Sequence, residues 1–106
     1  MGIKIRIGRY KTDAEICRKN GWNDVRRVTD DIAGEVTRAM QMHKGMNSLH
    51  EAKAVIEEEF DEFWELVKVN PKKLLLEDRE KRMANLRSEL IQTAAMCVRA
   101  IVDLKL

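Results

Sequence analysis

Six carboxylates, Glu57, Glu58, Glu59, Asp61, Glu62 and Glu65, fall within nine consecutive residues of this chain. Placed on a helix at about 100° per residue, Ala52, Val55, Ile56, Phe63 and Leu66 define one apolar face. Glu59 falls in the middle of that stripe, between Ile56 and Phe63, and Glu62 lies on its edge beside Val55 and Leu66. An unpaired carboxylate costs several kcal/mol to bury, so core packing alone does not select Glu there. Like charges this dense repel unless something shared offsets them. For Glu59 the spacing leaves two compensations open: a divalent cation, or a buried ion pair with Arg38 or Arg99. Glu57, Glu58, Asp61 and Glu65 read as a solvated face, whereas Glu62 lies between the two cases.

A second set of polar residues interrupts an apolar run near the C-terminus. From Leu90 to Val102 the chain is apolar almost all round, which predicts a helix buried on most sides. Its exceptions include Glu89, Gln92 and Arg99, with Gln92 one turn on from Glu89 and Arg99 two turns beyond Gln92 on nearly the same side. If the two helices pack antiparallel, Glu59 and Glu62 face Glu89 and Gln92, with Arg99 near. Three carboxylates and an amide oxygen make an all-oxygen donor set that suits Mg²⁺ or Mn²⁺, hard cations that keep water and phosphate in their open positions. Arg99 is expected first as an ion-pair partner and then as a phosphate contact. No Glu is followed by His three positions later, which disfavours a ferritin-like di-iron centre. His43 and His50 read as structural.

The elements that must position these groups are helices. A chain of 106 residues makes one domain, 1–106. Its Gly and Pro together number 6, too few for the turns of a sandwich or barrel, and its 44% apolar content excludes disorder. Thr12 and Glu15 form a capping box opening a short helix that Gly21 closes, so 1–22 reads as an arm with a short helix, the weak alternation of 1–11 having no strand to pair with. Asn23 then caps a helix to about Lys44, with Val25, Val28, Ile32, Val36, Ala39 and His43 on one face. Ser48 and Glu51 form a second capping box opening a helix to about Asn70. Pro71 breaks the chain before a charged stretch, Glu77 to Arg82, and a last helix reaching about Asp103. The expected fold is all-α, a small antiparallel helical bundle over 23–104 completed by dimerisation, with Trp22, Trp64 and the methionines in core or interface.

Charge and hydropathy narrow the partners. Lys and Arg number 20 against 18 Asp and Glu, a net +2 with no sustained basic stripe, so no nucleic acid is expected as a partner. The longest wholly apolar run, Ala94 to Val98, is far short of a membrane span, and Lys4, Arg6 and Arg9 stand where a signal peptide is apolar. No membrane partner and a cytoplasmic location are expected. Cys17 and Cys97 read as two free thiols.

The carboxylate pattern resembles a known family, the all-alpha nucleoside triphosphate pyrophosphatases and in particular their MazG-like branch, marked by an E-E-x-x-E helix followed by an E-x-x-D helix. Glu58-Glu59-Phe60-Asp61-Glu62 matches the first part in full, and Glu89-Leu90-Ile91-Gln92 matches the second except at its last position. With its flanks, the resemblance covers about residues 48 to 104. It implies a homodimer or homotetramer that hydrolyses a nucleoside triphosphate to the monophosphate and pyrophosphate with Mg²⁺, Mn²⁺ being an alternative. It further implies Glu59, Glu62 and Glu89 as metal ligands, with Gln92 at the fourth position, and Glu58 as a ligand or the group that orients water beside Glu59. Gln92 in place of Asp removes one negative charge and weakens metal binding. The alternative is therefore a MazG-like helical dimer of low or no turnover, serving as a nucleotide-binding or protein-interaction module.

Overall fold

The computed structural model describes residues 21–106. The chain divides into two compact units, Met1–Asp30 and Asp31–Leu106, and the first helix runs across that boundary. Cys17, the Thr12 capping box and the weakly alternating arm lie outside the described residues.

Three α-helices carry the fold: α1 (Trp22–Met42), α2 (Leu49–Val67) and α3 (Leu76–Asp103), with a single 3₁₀ turn at Pro71–Lys73 between the last two. No strand occurs among the described residues. Gly21, at φ +85°, precedes α1, and its carbonyl accepts the first two helical hydrogen bonds, from Asp24 and Val25 at 2.9 and 3.1 Å. The entry to α1 is thus made by a backbone carbonyl, and Asn23, expected as the cap, lies inside the first turn. The expected capping box of α2 is present: Ser48 Oγ accepts from the Glu51 amide at 3.0 Å, while Glu51 Oε2 accepts from Asn47 N at 3.2 Å. The charged stretch Glu77 to Arg82 belongs to α3, whose first turn holds Glu77 and Asp78, where acidic groups favour a helix N-terminus.

Helices α2 and α3 pack antiparallel along most of their length. Arg82 near the start of α3 donates to the Leu66 and Val67 carbonyls at the end of α2, at 3.2 and 3.3 Å, and the end of α3 reaches the residues before α2, where Asp103 Oδ2 accepts from Met46 N at 2.9 Å. The core between them is made of small and flexible side chains, Ala52, Ala95, Ala100, Met46 and Met96, joined by Val36 and Ala39 of α1. Alanine at 52, 95 and 100 lets the helices approach closely, and methionine fills what remains. Arg87 and Asp31 make a further ion pair, 2.6 Å long.

Two expectations about burial are corrected. On the predicted face of α1, Val36 and Ala39 are buried and Ile32 half-buried, but Val25, Val28 and His43 are exposed, and the helix ends before His43. Along α3, only Ala95, Met96, Arg99 and Ala100 are buried. The opposite side presents Leu76, Met83, Leu90, Cys97, Val98 and Ile101 outward, with Ile101 53% exposed. The helix is apolar on two sides, and the described residues cover one of them. Both tryptophans, Trp22 and Trp64, are exposed, as is the free thiol of Cys97.

Candidate metal centre

The register of α2 against α3 brings Glu59, Glu62 and Glu89 together, each offering a carboxylate oxygen within 4.8 Å of the others. The cause is local and simple. Glu59 and Glu62 are three residues apart on α2 and share the edge that meets α3, and Glu89 sits on α3 where the antiparallel pairing crosses that edge. Glu59 and Glu89 are half-buried and Glu62 is exposed, so the cluster opens to solvent on one side.

Its electrostatics are unresolved within the protein. Glu59 Oε2 and Glu89 Oε2 are buried without a hydrogen-bond partner. Burial pushes the Glu59 carboxyl above its ordinary range, and the charges of Glu62, Glu89, Glu58 and Glu35 add to the push. Burial also raises Glu89, and the neighbouring Glu62 carboxyl adds to the push. Neither arginine considered as a partner pairs with Glu59. Arg38 is held by Glu35 in a two-pronged contact, its Nε donating at 3.0 Å. Arg99 donates from Nη2 to the Lys44 carbonyl at 2.8 Å and lies 3.6 Å from Asp103. A buried oxygen lacking a donor is a strained state that a cation relieves. Three carboxylates with two such oxygens fit a hard divalent ion, which takes oxygen ligands and tolerates water at its remaining positions.

Of the other sequence-predicted residues, Glu58 and Arg99 line a cavity that adjoins this cluster, and Gln92 makes no hydrogen bond with the cluster. Gln92 is half-buried one turn after Glu89, and its Nε2 lies 3.5 Å from Ser88 Oγ, a long contact that leaves the amide oxygen uncommitted. Glu58 and Glu59 line an adjoining cavity of about 350 Å³, whose wall also includes Arg38, His43, Lys44 and Arg99. Arg99 is 4% exposed, so most of it is built into the wall.

Three further residues were not singled out: Glu35 and Lys44, which line the cavity, and Asp103, which lies behind it against Arg99. Glu35 was findable in principle, since it precedes Arg38 by three positions on α1, a spacing that makes a helical ion pair. Asp103 and Lys44 had no local signal, because Asp103 meets Met46 across 57 positions of sequence and Arg99 meets Lys44 across 55. Compared with protein-family models, with curated proteins and with solved structures, the chain matches none.

Proposed function

We propose that the protein is a Mg²⁺-dependent nucleotide pyrophosphohydrolase, cleaving a nucleoside triphosphate to monophosphate and pyrophosphate. The observation that carries this reading is the trio Glu59, Glu62 and Glu89, gathered within 4.8 Å with two buried oxygens lacking donors. The match of Glu58 to Glu62 and of Glu89 to the family's two motifs supplies the reaction class. Glu59, Glu62 and Glu89 hold the cation, with the Gln92 amide oxygen at the fourth position. A divalent cation held by these residues would supply the charge that offsets phosphate oxygens and would make a nearby water more acidic. Glu58, on the cavity wall beside Glu59, takes the proton of the attacking water. The water oxygen bonds to the α-phosphorus, the bond from that phosphorus to the bridging oxygen breaks, and pyrophosphate departs with the electron pair.

The apolar outer side of α3 supports the second element of this reading, a homodimer. Leu90, Cys97 and Ile101 recur at spacings of seven and four along one stripe of the helix, the repeat of a helix that packs against another. A second copy buries it.

The test is pyrophosphate release by the purified protein across ribo- and deoxynucleoside triphosphates, with Mg²⁺ and with Mn²⁺, beside a Glu59→Gln control. Metal-dependent release absent from the control is the expected result. Silence across the panel from folded protein overturns catalysis, and Gln92, which lowers the charge of the site by one, then favours the second reading: a helical dimer that binds nucleotide or a protein partner without turnover.

A further inference from the structure

Two large apolar side chains stand at the turn between α2 and α3, where neither helix formation nor packing selects them. Leu75 occupies the N-cap position of α3 and makes no side-chain cap hydrogen bond, although Ser, Thr, Asp or Asn would stabilise the helix there. It is 75% exposed, and Leu76 after it is 72% exposed. Val69, on the other side of the 3₁₀ segment, is exposed as well. Large apolar side chains gathered on a surface mark a contact with something else.

The turn is also basic. Residues 68–82 hold six Lys and Arg against three Asp and Glu, a net +3, larger than the +2 of the whole chain. Lys72 and Lys73, exposed in the 3₁₀ segment, make no ion pair among the described residues, whereas Lys68 is held by Glu65 at 2.7 Å. The three carboxylates, Glu77, Asp78 and Glu80, all follow the leucines on α3, and the first two lie in its first turn, where the helix N-terminus favours them. The backbone is fixed in one shape. Asn70 Oδ1 accepts from Lys72 N at 3.0 Å, the Asn70 carbonyl accepts from Lys73 N at 3.1 Å, and Arg79 Nε donates to the Leu74 carbonyl at 3.1 Å. A turn so held loses little freedom when its side chains meet a partner.

We infer that this turn docks on an anionic lipid surface, with Leu75 and Leu76 entering the boundary between headgroups and acyl chains and Lys72 and Lys73 meeting headgroup phosphates. Side chains at the end of a helix pair reach a planar surface first, and a fluid boundary accepts them without a shaped pocket. Each leucine removes apolar area from water, and each lysine lays its stem along the surface while its ammonium stays among the headgroups. That no helix is long and apolar enough to cross a membrane concerns spanning, and a contact through a turn needs no span. The expectation of no membrane partner is narrowed accordingly to no crossing. No residue of the carboxylate trio or of the cavity beside it takes part, so the inference stands apart from the metal reading.

Co-sedimentation of the full chain with lipid vesicles tests this. The wild type is expected to bind vesicles of equal parts phosphatidylglycerol and phosphatidylcholine, and to bind phosphatidylcholine alone at least about tenfold more weakly. Leu75→Ser with Leu76→Ser, and separately Lys72→Gln with Lys73→Gln, should each lose about tenfold or more on the anionic vesicles at unchanged helix content. Lys53→Gln with Lys105→Gln removes the same charge from exposed positions away from the turn, and should change binding by less than about twofold. A wild type that does not bind the anionic vesicles overturns the inference. An equal loss in the Lys53 and Lys105 variant reduces the effect to net charge and overturns it too, as does wild-type affinity in the leucine variant. Sedimentation velocity without lipid covers the other occupant: a wild type that self-associates beside a leucine variant that does not means that a second copy buries the turn, and the lipid contact is then overturned.

Discussion

Glu59→Gln keeps the shape of the side chain and removes its charge, and its effect on the metal-free protein follows from the geometry. Two unit charges 4.8 Å apart repel by about 1 kcal/mol at the dielectric of water and by about 3.5 kcal/mol at an effective dielectric near 20. Glu59 takes part in two of the three repulsions of the trio. The cluster is open on the Glu62 side and one carboxyl can retain a proton, so the relief realised lies near the lower figure, about 1 kcal/mol. For a domain of this size that raises the melting temperature by roughly 4 to 8 °C. Melting followed by circular dichroism in EDTA, at pH 7.5, checks it. Mg²⁺ should then reverse the ranking: at a free concentration about ten times its Kd, the wild type gains about 1.4 kcal/mol, whereas the variant lacks a ligand and gains little. A Glu59→Gln protein that melts at or below the wild type in EDTA refutes the claim that the trio is strained without a cation. Equal gains from Mg²⁺ in both proteins refute Glu59 as a ligand.

The remaining expectations follow from the same contacts. Glu59 and Glu89 titrate above the ordinary carboxylate value of 4.5, so the folded chain retains protons that the unfolded chain has released. Their contribution to stability is full below about pH 4.5 and is lost as pH rises through the folded values, so the metal-free wild type should melt lower at pH 7.5 than at pH 5.5, with a shallower decline in Glu59→Gln. Mn²⁺ affinity should rise over that window because binding displaces those protons, and a flat pH profile by calorimetry contradicts this. Arg99→Met leaves Asp103 half-buried without its cation and frees the Lys44 carbonyl; a destabilisation of roughly 3 kcal/mol is expected in urea melts, and less than 1 kcal/mol removes Arg99 as the link between α3 and the residues before α2. Ser48→Ala should cost about 1 kcal/mol by the same measurement, the value of one helix cap. Ile101→Glu with Leu90→Glu should convert a dimer to monomer in sedimentation at unchanged helix content, and a wild type that already sediments as a monomer at tens of micromolar refutes the second copy on α3.

What the sequence disclosed and what it withheld divide along a physical line. Glu59 was legible because a charge inside an apolar helical stripe breaks a local rule, and the rule needs only the spacing of Ala52, Ile56, Phe63 and Leu66 to be applied. Ser48 and Glu51 were legible for the same reason, since a capping box is complete within four residues. The burial of α3 was misjudged because periodicity reports which positions are apolar and is silent on how many partners the chain supplies; Leu90 and Ile101 are as apolar as Ala95, yet both are exposed in the structure. Asn23 as a cap failed because Gly21, two residues earlier, already offers its carbonyl to α1.

The cavity wall beside the trio shows why part of the site stayed hidden. Arg38 on α1 and Lys44 just beyond its end are basic residues in ordinary places, so neither breaks a rule, and only the fold brings them to the cavity that Glu59 lines. Arg99 did break one, as a charge in the nearly all-apolar run Leu90 to Val102, and it was expected first as an ion-pair partner and then as a phosphate contact. Its burial at 4% exposure favours the first of these roles: a cation withdrawn from solvent has its Nη2 committed to Asp103 and a backbone carbonyl. Anomaly in a sequence marks a group that needs a compensating partner. For Glu59 no partner exists within the described residues, which is why a ligand is inferred; for Arg99 the partners are Asp103 and the Lys44 carbonyl.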